Sequence, residues 1–111
     1  MILRATALFV TLALTAPAFA GSGNAAAGKA KAQACAACHG ADGNKTLDGS
    51  YPKLAGQYPE YLAKALHEYK SGKRKNAVMG AQAQGLNEAD IANLSAYFAS
   101  LKPQIRDLSE H

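Results

Sequence analysis

The sequence predicts an all-α protein with one small domain behind an N-terminal leader. Three observations support this prediction. Three stretches have helical composition or periodicity, no stretch alternates polar and apolar residues as a strand does, and the chain has only 111 residues. Two long loops, one rich in glycine and one in basic residues, separate the three main helices.

The first 20 residues have the pattern of a secretory signal peptide. Arg4 precedes an apolar run, and Ala18-Phe19-Ala20 supplies the small residues of a cleavage site. The run is shorter than the roughly 20 residues that span a bilayer. We therefore expect a signal peptide at 1–20, a mature domain at 21–111 in the periplasm, and no membrane span after cleavage; a retained membrane anchor is the alternative.

The mature chain would lose Arg4 and keep 11 basic and eight acidic residues, for a net charge of +3. This balance favours acidic protein partners and is far from the charge of a nucleic-acid-binding protein. A domain of this size buries little apolar surface unless something reinforces its core. The only two cysteines are too close in sequence for a useful disulfide, so another group must complete the core.

The alanine-rich run after Asn24 predicts a first helix over residues 25–37, which glycines then end. A second helix is predicted from Pro59 to the residue before Gly72, because its apolar residues recur at helical spacing. That stripe comprises Leu62, Ala65, Leu66 and Tyr69. The basic segment that follows, which contains Met79, is expected to be flexible and not helical.

A third helix is predicted from Asn87, a good N-cap residue, to about Leu101. Acidic residues occupy its first turn, where the helix dipole favours them. Its apolar stripe comprises Ile91, Leu94, Phe98 and Leu101.

The motif Cys35-Ala36-Ala37-Cys38-His39 carries the chemistry of this sequence. On a helix its two cysteines and its histidine project to one face, because they lie at i, i+3 and i+4. In an exported protein this spacing is typical of c-type haem attachment, where each thiol adds across a vinyl group and the histidine ligates the iron. The covalently held macrocycle would also complete the core.

Three other interpretations of the cysteine pair compete, one of them a helix end with incidental residues, which the match at all five positions disfavours. A thioredoxin-like redox motif requires alternating strands and helices, which the sequence does not predict. A structural zinc site requires four ligands, and no second pair of Cys or His residues has ligand spacing.

The segments CAACHGADGN, YPKLAGQ and DIANLSAYFASL, with a methionine about forty residues after the motif histidine, resemble a class I c-type cytochrome of the small bacterial single-haem kind. The chain is also similar to one half of the tandem two-haem cytochromes. The resemblance covers residues 25–101. It implies a cytochrome c-like fold around one covalent haem c, attached to Cys35 and Cys38.

The resemblance implies that Met79 is the second axial ligand opposite His39. A core-filling methionine is the alternative, and His67 or His111 would be the ligand in a bis-histidine haem. The resemblance also implies that the Pro52 carbonyl accepts the second N–H of His39, as ligating histidines generally require. Three tyrosines are candidates to bond a haem propionate, namely Tyr51, Tyr58 and Tyr61.

For the first and last helices, the resemblance implies a close crossing, with Gly28 and Ala32 against Leu94, Tyr97 and Phe98. This group is interpreted as structural.

The sequence therefore favours a monomeric periplasmic electron carrier that makes and breaks no bond of a substrate. Its redox partners would be proteins such as a terminal oxidase, a reductase or a dehydrogenase of the respiratory chain. The basic cluster Lys70, Lys73, Arg74 and Lys75 could steer such partners if they are acidic. The alternatives are an electron-transfer subunit of a larger oxidoreductase and a haem peroxidase or gas-binding protein with an open sixth position.

Overall fold

The computed structural model describes residue 2 and residues 23–104. Within residues 23–104 the regular structure is entirely helical, which confirms the all-α class. The helices are α1 (Ala25–Lys31), α2 (Gln33–His39), α3 (Pro59–Ser71), α4 (Ala77–Gln84) and α5 (Glu88–Ser100). The predicted leader apart from Ile2, and also His111, lie outside the described residues.

The predicted first helix is found as two consecutive helices, and its predicted end at residue 37 is wrong. The Ala32 N–H still bonds the Gly28 carbonyl and the Ala36 N–H bonds the Ala32 carbonyl, each at 2.9 Å, so α2 continues from α1. The helix reaches His39 because Gly40, at φ 88°, is the first residue with a backbone conformation that leaves the helix. All three motif side chains therefore lie on one helix.

The α3 and α5 helices have the ends that their sequence signals predict. Pro59 occupies the first turn of α3, and Gly72 ends it in the left-handed conformation. At the start of α5 the Asn87 side chain accepts the Asp90 N–H while the Asp90 carboxylate accepts the Asn87 N–H, which forms a capping box.

Helices α1 and α5 cross at Gly28, as the resemblance implied. A Cβ atom added at this glycine would lie 2.0 Å from the Asn93 carbonyl oxygen and 2.7 Å from the Tyr97 Cβ atom. Next to the crossing, Ala32 joins Leu62, Leu94 and Phe98 in the main apolar cluster. The crossing thus packs α1, from which the motif-bearing α2 continues, against the C-terminal helix.

The apolar core is small for the length of the described chain. Its buried hydrophobic residues are Ala32, Leu62, Ala83, Ile91, Leu94 and Phe98. Half-buried side chains, including Cys35 and Leu54, pack on the edge of the cluster. Such a core leaves apolar surface that an additional group can cover. None of the described helices combines the length and apolarity needed to cross a membrane.

Substituting Gly28→Ala should lower the stability of the protein, although alanine is by itself the better helix former by about 1 kcal/mol. The added methyl group meets a backbone carbonyl, which cannot rotate away as a side chain would. We expect a net loss of about 1–3 kcal/mol, the usual cost of overpacking, in thermal unfolding followed by circular dichroism. Gly49→Ala is the matched control because nothing lies within 4 Å of its added Cβ atom. Equal melting temperatures for the two variants would contradict the close crossing.

Candidate haem site

The motif histidine is buried and has a defined orientation. His39 is 5% exposed, and its Nδ1 lies 2.8 Å from the Pro52 carbonyl oxygen. Because a carbonyl can only accept, Nδ1 carries the proton, so in the neutral ring the lone pair lies on Nε2. No group in residues 23–104 is recorded as a hydrogen-bond partner of Nε2. The ring is therefore prepared to ligate a metal through Nε2, in the manner of histidines whose other nitrogen is held by a backbone acceptor.

The two cysteines are half-buried thiols on the same helix as His39. Burial raises the pKa of the Cys35 thiol, which keeps it protonated and apolar when nothing is attached. The Cys38 thiol lies close enough to Tyr51 to raise the pKa of its phenol, and the Tyr51 ring contacts His39 edge-on, with the centroids 6.3 Å apart. Of the three candidate tyrosines, Tyr51 is thus placed beside the motif, while Tyr58 and Tyr61 are exposed.

Met79 lies in α4, so the expectation of a non-helical segment is wrong. The helix forms because the Asn76 side chain accepts the Met79 N–H at 2.9 Å and caps the first turn. Met79 is half-buried and lies one turn before Ala83, which is fully buried. Residues at i and i+4 share a helix face, so Met79 lies on the interior face of α4.

The opposite side of α4 borders a different feature. Ala77, Gly80, Ala81 and Gln84 line an open groove of about 470 Å³ with the C-terminal end of α3. Met79 does not line this groove.

The rival histidine His67 is placed away from the motif. Its side chain is exposed, and its Nε2 lies 2.7 Å from a carboxylate oxygen of Glu88, at the start of α5. His67 therefore joins α3 to α5 at the surface. The other rival, His111, lies outside the described residues.

The basic cluster is only partly available to a partner. The Lys70 ammonium donates to the Leu86 carbonyl, and Arg74 lies 3.4 Å from the Glu68 carboxylate while its guanidinium stacks on Tyr61 and Tyr69. Lys73 and Lys75 are exposed, and neither forms a salt bridge within residues 23–104. The sequence could not show that two of the four cations already have structural partners.

Comparisons with known proteins agree with the geometry of the site. The cytochrome c family profile matches residues 25–102. A cytochrome c4 from Pseudomonas aeruginosa is 49% identical over 98 residues, which are 88% of this chain and 48% of that protein. Cytochrome c-554(548) from Halomonas halodenitrificans is 45% identical over 82 residues, 71% of this chain and 98% of that protein.

Two further comparisons extend the agreement. A thiosulfate dehydrogenase electron acceptor from Thiomonas intermedia is 42% identical, over 70% of this chain and 36% of that protein. The crystal structure of reduced recombinant cytochrome c4 from Pseudomonas stutzeri superimposes with a TM-score of 0.70 at 38% identity, over 75% of this chain and 48% of that one. The chain spans about half the length of the cytochrome c4 proteins that it matches.

The residues present fit the covalently attached haem c of a cytochrome c domain. The two thiols lie on one face of α2 with His39, whose Nε2 can ligate iron. The small core provides apolar surface for a macrocycle to cover. The cofactor expected from the sequence is thereby confirmed, while the assignment of individual ligands stays a prediction.

The ion pairs of Glu68 near the basic cluster give stability a pH dependence. The hydrogen bond donated by Lys64 lowers the pKa of the Glu68 carboxyl most, and the hydrogen bond donated by Arg74 lowers it further. When the pKa of a carboxyl is lower in the folded state, the group stabilises the folded protein. This stabilisation is complete at pH values above the ordinary glutamate pKa of about 4.3, and it is lost as the pH falls through the lowered pKa of the folded state.

We therefore expect Glu68→Gln to melt below the parent protein at neutral pH, with the difference closing as the pH falls below about 4. Thermal melts at a series of pH values provide the measurement. Glu60→Gln is the control, because this exposed carboxylate on the same helix forms no recorded ion pair within the described range. A difference that stayed constant with pH would show that the Glu68 pairs contribute nothing.

Proposed function

Because the chain belongs to the cytochrome c family, we propose that it is a periplasmic one-electron carrier whose haem iron is ligated by His39 and Met79. The observation that carries this proposal is the buried His39 ring, which is held at Nδ1 by the Pro52 carbonyl and presents Nε2 on the face that also carries both cysteines. When bound, the haem supplies a ferric/ferrous couple.

The protein residues supply a fixed environment for this couple. Cys35 and Cys38 would hold the prosthetic group to α2 through two thioether bonds, and the Pro52 carbonyl holds the His39 ring. Ligands that do not move on electron transfer keep the reorganisation small. We propose that no substrate bond is made or broken, because two axial protein ligands would leave no position on the iron for a substrate.

Met79 is supported as the distal ligand by its place on α4. It shares the interior face of that helix with the fully buried Ala83, and its backbone is fixed by the Asn76 cap. A thioether paired with an imidazole raises the reduction potential relative to a bis-histidine pair. Such a potential suits delivery of electrons to a high-potential acceptor.

The periplasmic location rests on the predicted leader, with a mature N-terminus at Gly21. The match to nearly the whole of the Halomonas halodenitrificans cytochrome supports a carrier that works as one domain. The match to part of a thiosulfate dehydrogenase electron acceptor favours a second candidate, in which the chain serves as the electron-transfer part of a larger oxidoreductase. Co-purification of a stable partner from the native periplasm would favour this second candidate.

Substituting Met79→Leu should remove the weak far-red band of the ferric spectrum that reports sulfur bound to iron. Leucine conserves the volume and apolarity of methionine but cannot ligate, so the iron should become high-spin and bind carbon monoxide. The measurement is the visible spectrum of haem-loaded protein, oxidised and reduced.

Two variants serve as controls for this test. Val78→Ala changes an exposed neighbour of Met79, and His67→Gln removes the rival ligand; both should keep the parent spectrum. If the parent protein lacks the band, or if Met79→Leu keeps it, Met79 is not the ligand.

For the partner surface we propose the exposed pair Lys73 and Lys75, because the other two cations of the basic cluster are engaged within the protein. Long-range attraction from these charges would accelerate association with an acidic partner and would be screened by salt.

Either Lys73→Glu or Lys75→Glu should therefore slow reduction by an acidic redox protein roughly several-fold at low salt, and much less at high salt. Stopped-flow measurement at two ionic strengths tests this. Lys29→Glu, an exposed residue on α1, changes the net charge equally and is the matched control. If Lys29→Glu slows the reaction as much, net charge and not this surface governs the rate.

A further inference from the structure

The Pro52 carbonyl that orients His39 is not held by its own burial. Pro52 is exposed, and its side chain can make no hydrogen bond. The position of this carbonyl is therefore set by hydrogen bonds of the neighbouring chain, and those on its C-terminal side converge on one acceptor. Both Leu54 and Ala55 donate their N–H groups to the same acceptor, the Gly43 carbonyl oxygen, at 2.9 and 3.1 Å.

Gly43 belongs to the turn that follows the motif. The turn packs tightly against the Pro52 loop, because a Cβ atom added at Gly43 would lie 3.0 Å from the Ala55 nitrogen. The Asp42 carboxylate stiffens it by accepting the N–H groups of Lys45 and Asn44, each at 2.8 Å, and these bonds lower the pKa of Asp42.

Asn44 fastens this turn to the C-terminal segment. Its side chain is 5% exposed and uses both ends of its amide. Nδ2 donates to the Lys102 carbonyl at 3.0 Å and to the Asp42 carbonyl at 3.1 Å, while Oδ1 accepts the Gln104 N–H at 2.9 Å. An aspartate could not donate, a serine is too short to bridge both groups, and an alanine makes neither bond.

We propose that Asn44 is a positioning residue for the haem ligand His39, acting through Gly43 and the Pro52 loop. By holding the Pro52 carbonyl against Nδ1, it strengthens that hydrogen bond and so the electron donation of the imidazole. A stronger donor stabilises ferric iron, which lowers the reduction potential. This inference rests on the proposed haem ligation by His39 and adds a residue that touches neither the iron nor its ligands.

Substituting Asn44→Ala should loosen the loop and raise the potential. The fold should persist, because the Gly56 N–H still bonds the Phe98 carbonyl at 3.0 Å and ties the loop to α5. Removing outer partners of a ligand usually changes metal affinity or activity by about 10–100-fold. Because Asn44→Ala loosens the Pro52 partner and does not remove it, we expect the lower end of this range, a shift of about tenfold in the reduction equilibrium, which is about 59 mV for one electron.

The test measures the midpoint potential and the His39 Nδ1–H proton resonance of reduced haem-loaded protein. Asn87→Ala is the matched control: it removes an asparagine that caps the other end of α5, so it destabilises the protein without touching the loop. We expect a positive shift and faster exchange of the Nδ1 proton in Asn44→Ala alone. A lowered melting temperature with both readouts unchanged, or equal shifts in the two variants, would overturn the proposal.

If neither Asn44→Ala nor Asn44→Ser yields folded protein, amide hydrogen exchange of the parent protein tests the role of Asn44. In the parent protein the amides of Leu54, Ala55 and Gln104 should exchange with solvent through one common opening. Much faster exchange at Gln104 than at the other two would overturn the role of Asn44. Failure of the proposed function is distinct, because it would appear as a parent protein without reversible one-electron reduction.

Discussion

The close crossing of α1 and α5 is the constraint on which the rest of this structure depends. Only a residue without a side chain fits at Gly28, where the Asn93 carbonyl would lie 2.0 Å from an added Cβ atom. The crossing packs α1, which α2 continues, against α5. Because α2 continues α1, the crossing also anchors the helix that ends at His39. The Pro52 loop is tied to α5 by the bond from Gly56 to Phe98. Asn44 ties the turn after the motif to Lys102 and Gln104, just beyond α5.

Features that depend on local sequence could be predicted. The ends of α3 and α5 follow from Pro59, Gly72 and Asn87, because capping residues act within one turn of the helix. The cysteine motif is local as well, since its ligand geometry follows from helical spacing alone. The Pro52 acceptor is 13 residues from His39, and spacing gave no way to choose it without the family resemblance.

Features that depend on tertiary contacts were missed. Helix α4 has no continuous apolar stripe and contains Gly80, so periodicity could not reveal it; the Asn76 cap and the burial of Ala83 stabilise it. Asn44 bonds to Lys102 and Gln104, which lie 58 and 60 positions further along the chain. The only sequence signal of these bonds is a polar residue in a loop. Lys70 was placed in the cluster that could steer partners, and the sequence gives no signal of its structural bond because the acceptor is the Leu86 backbone carbonyl.

The two sides of the site differ in how firmly the protein holds them. His39 lies at the end of a helix anchored by the crossing, and its acceptor is fixed by a loop bonded to a turn and to α5. Met79 lies on an eight-residue helix that packs against α3 and would be marginal alone. The proposed ligands therefore differ in mechanical support. The rigid His39 side sets the basicity of the imidazole, whereas ligation by the proposed Met79 thioether would depend on the packing of α4.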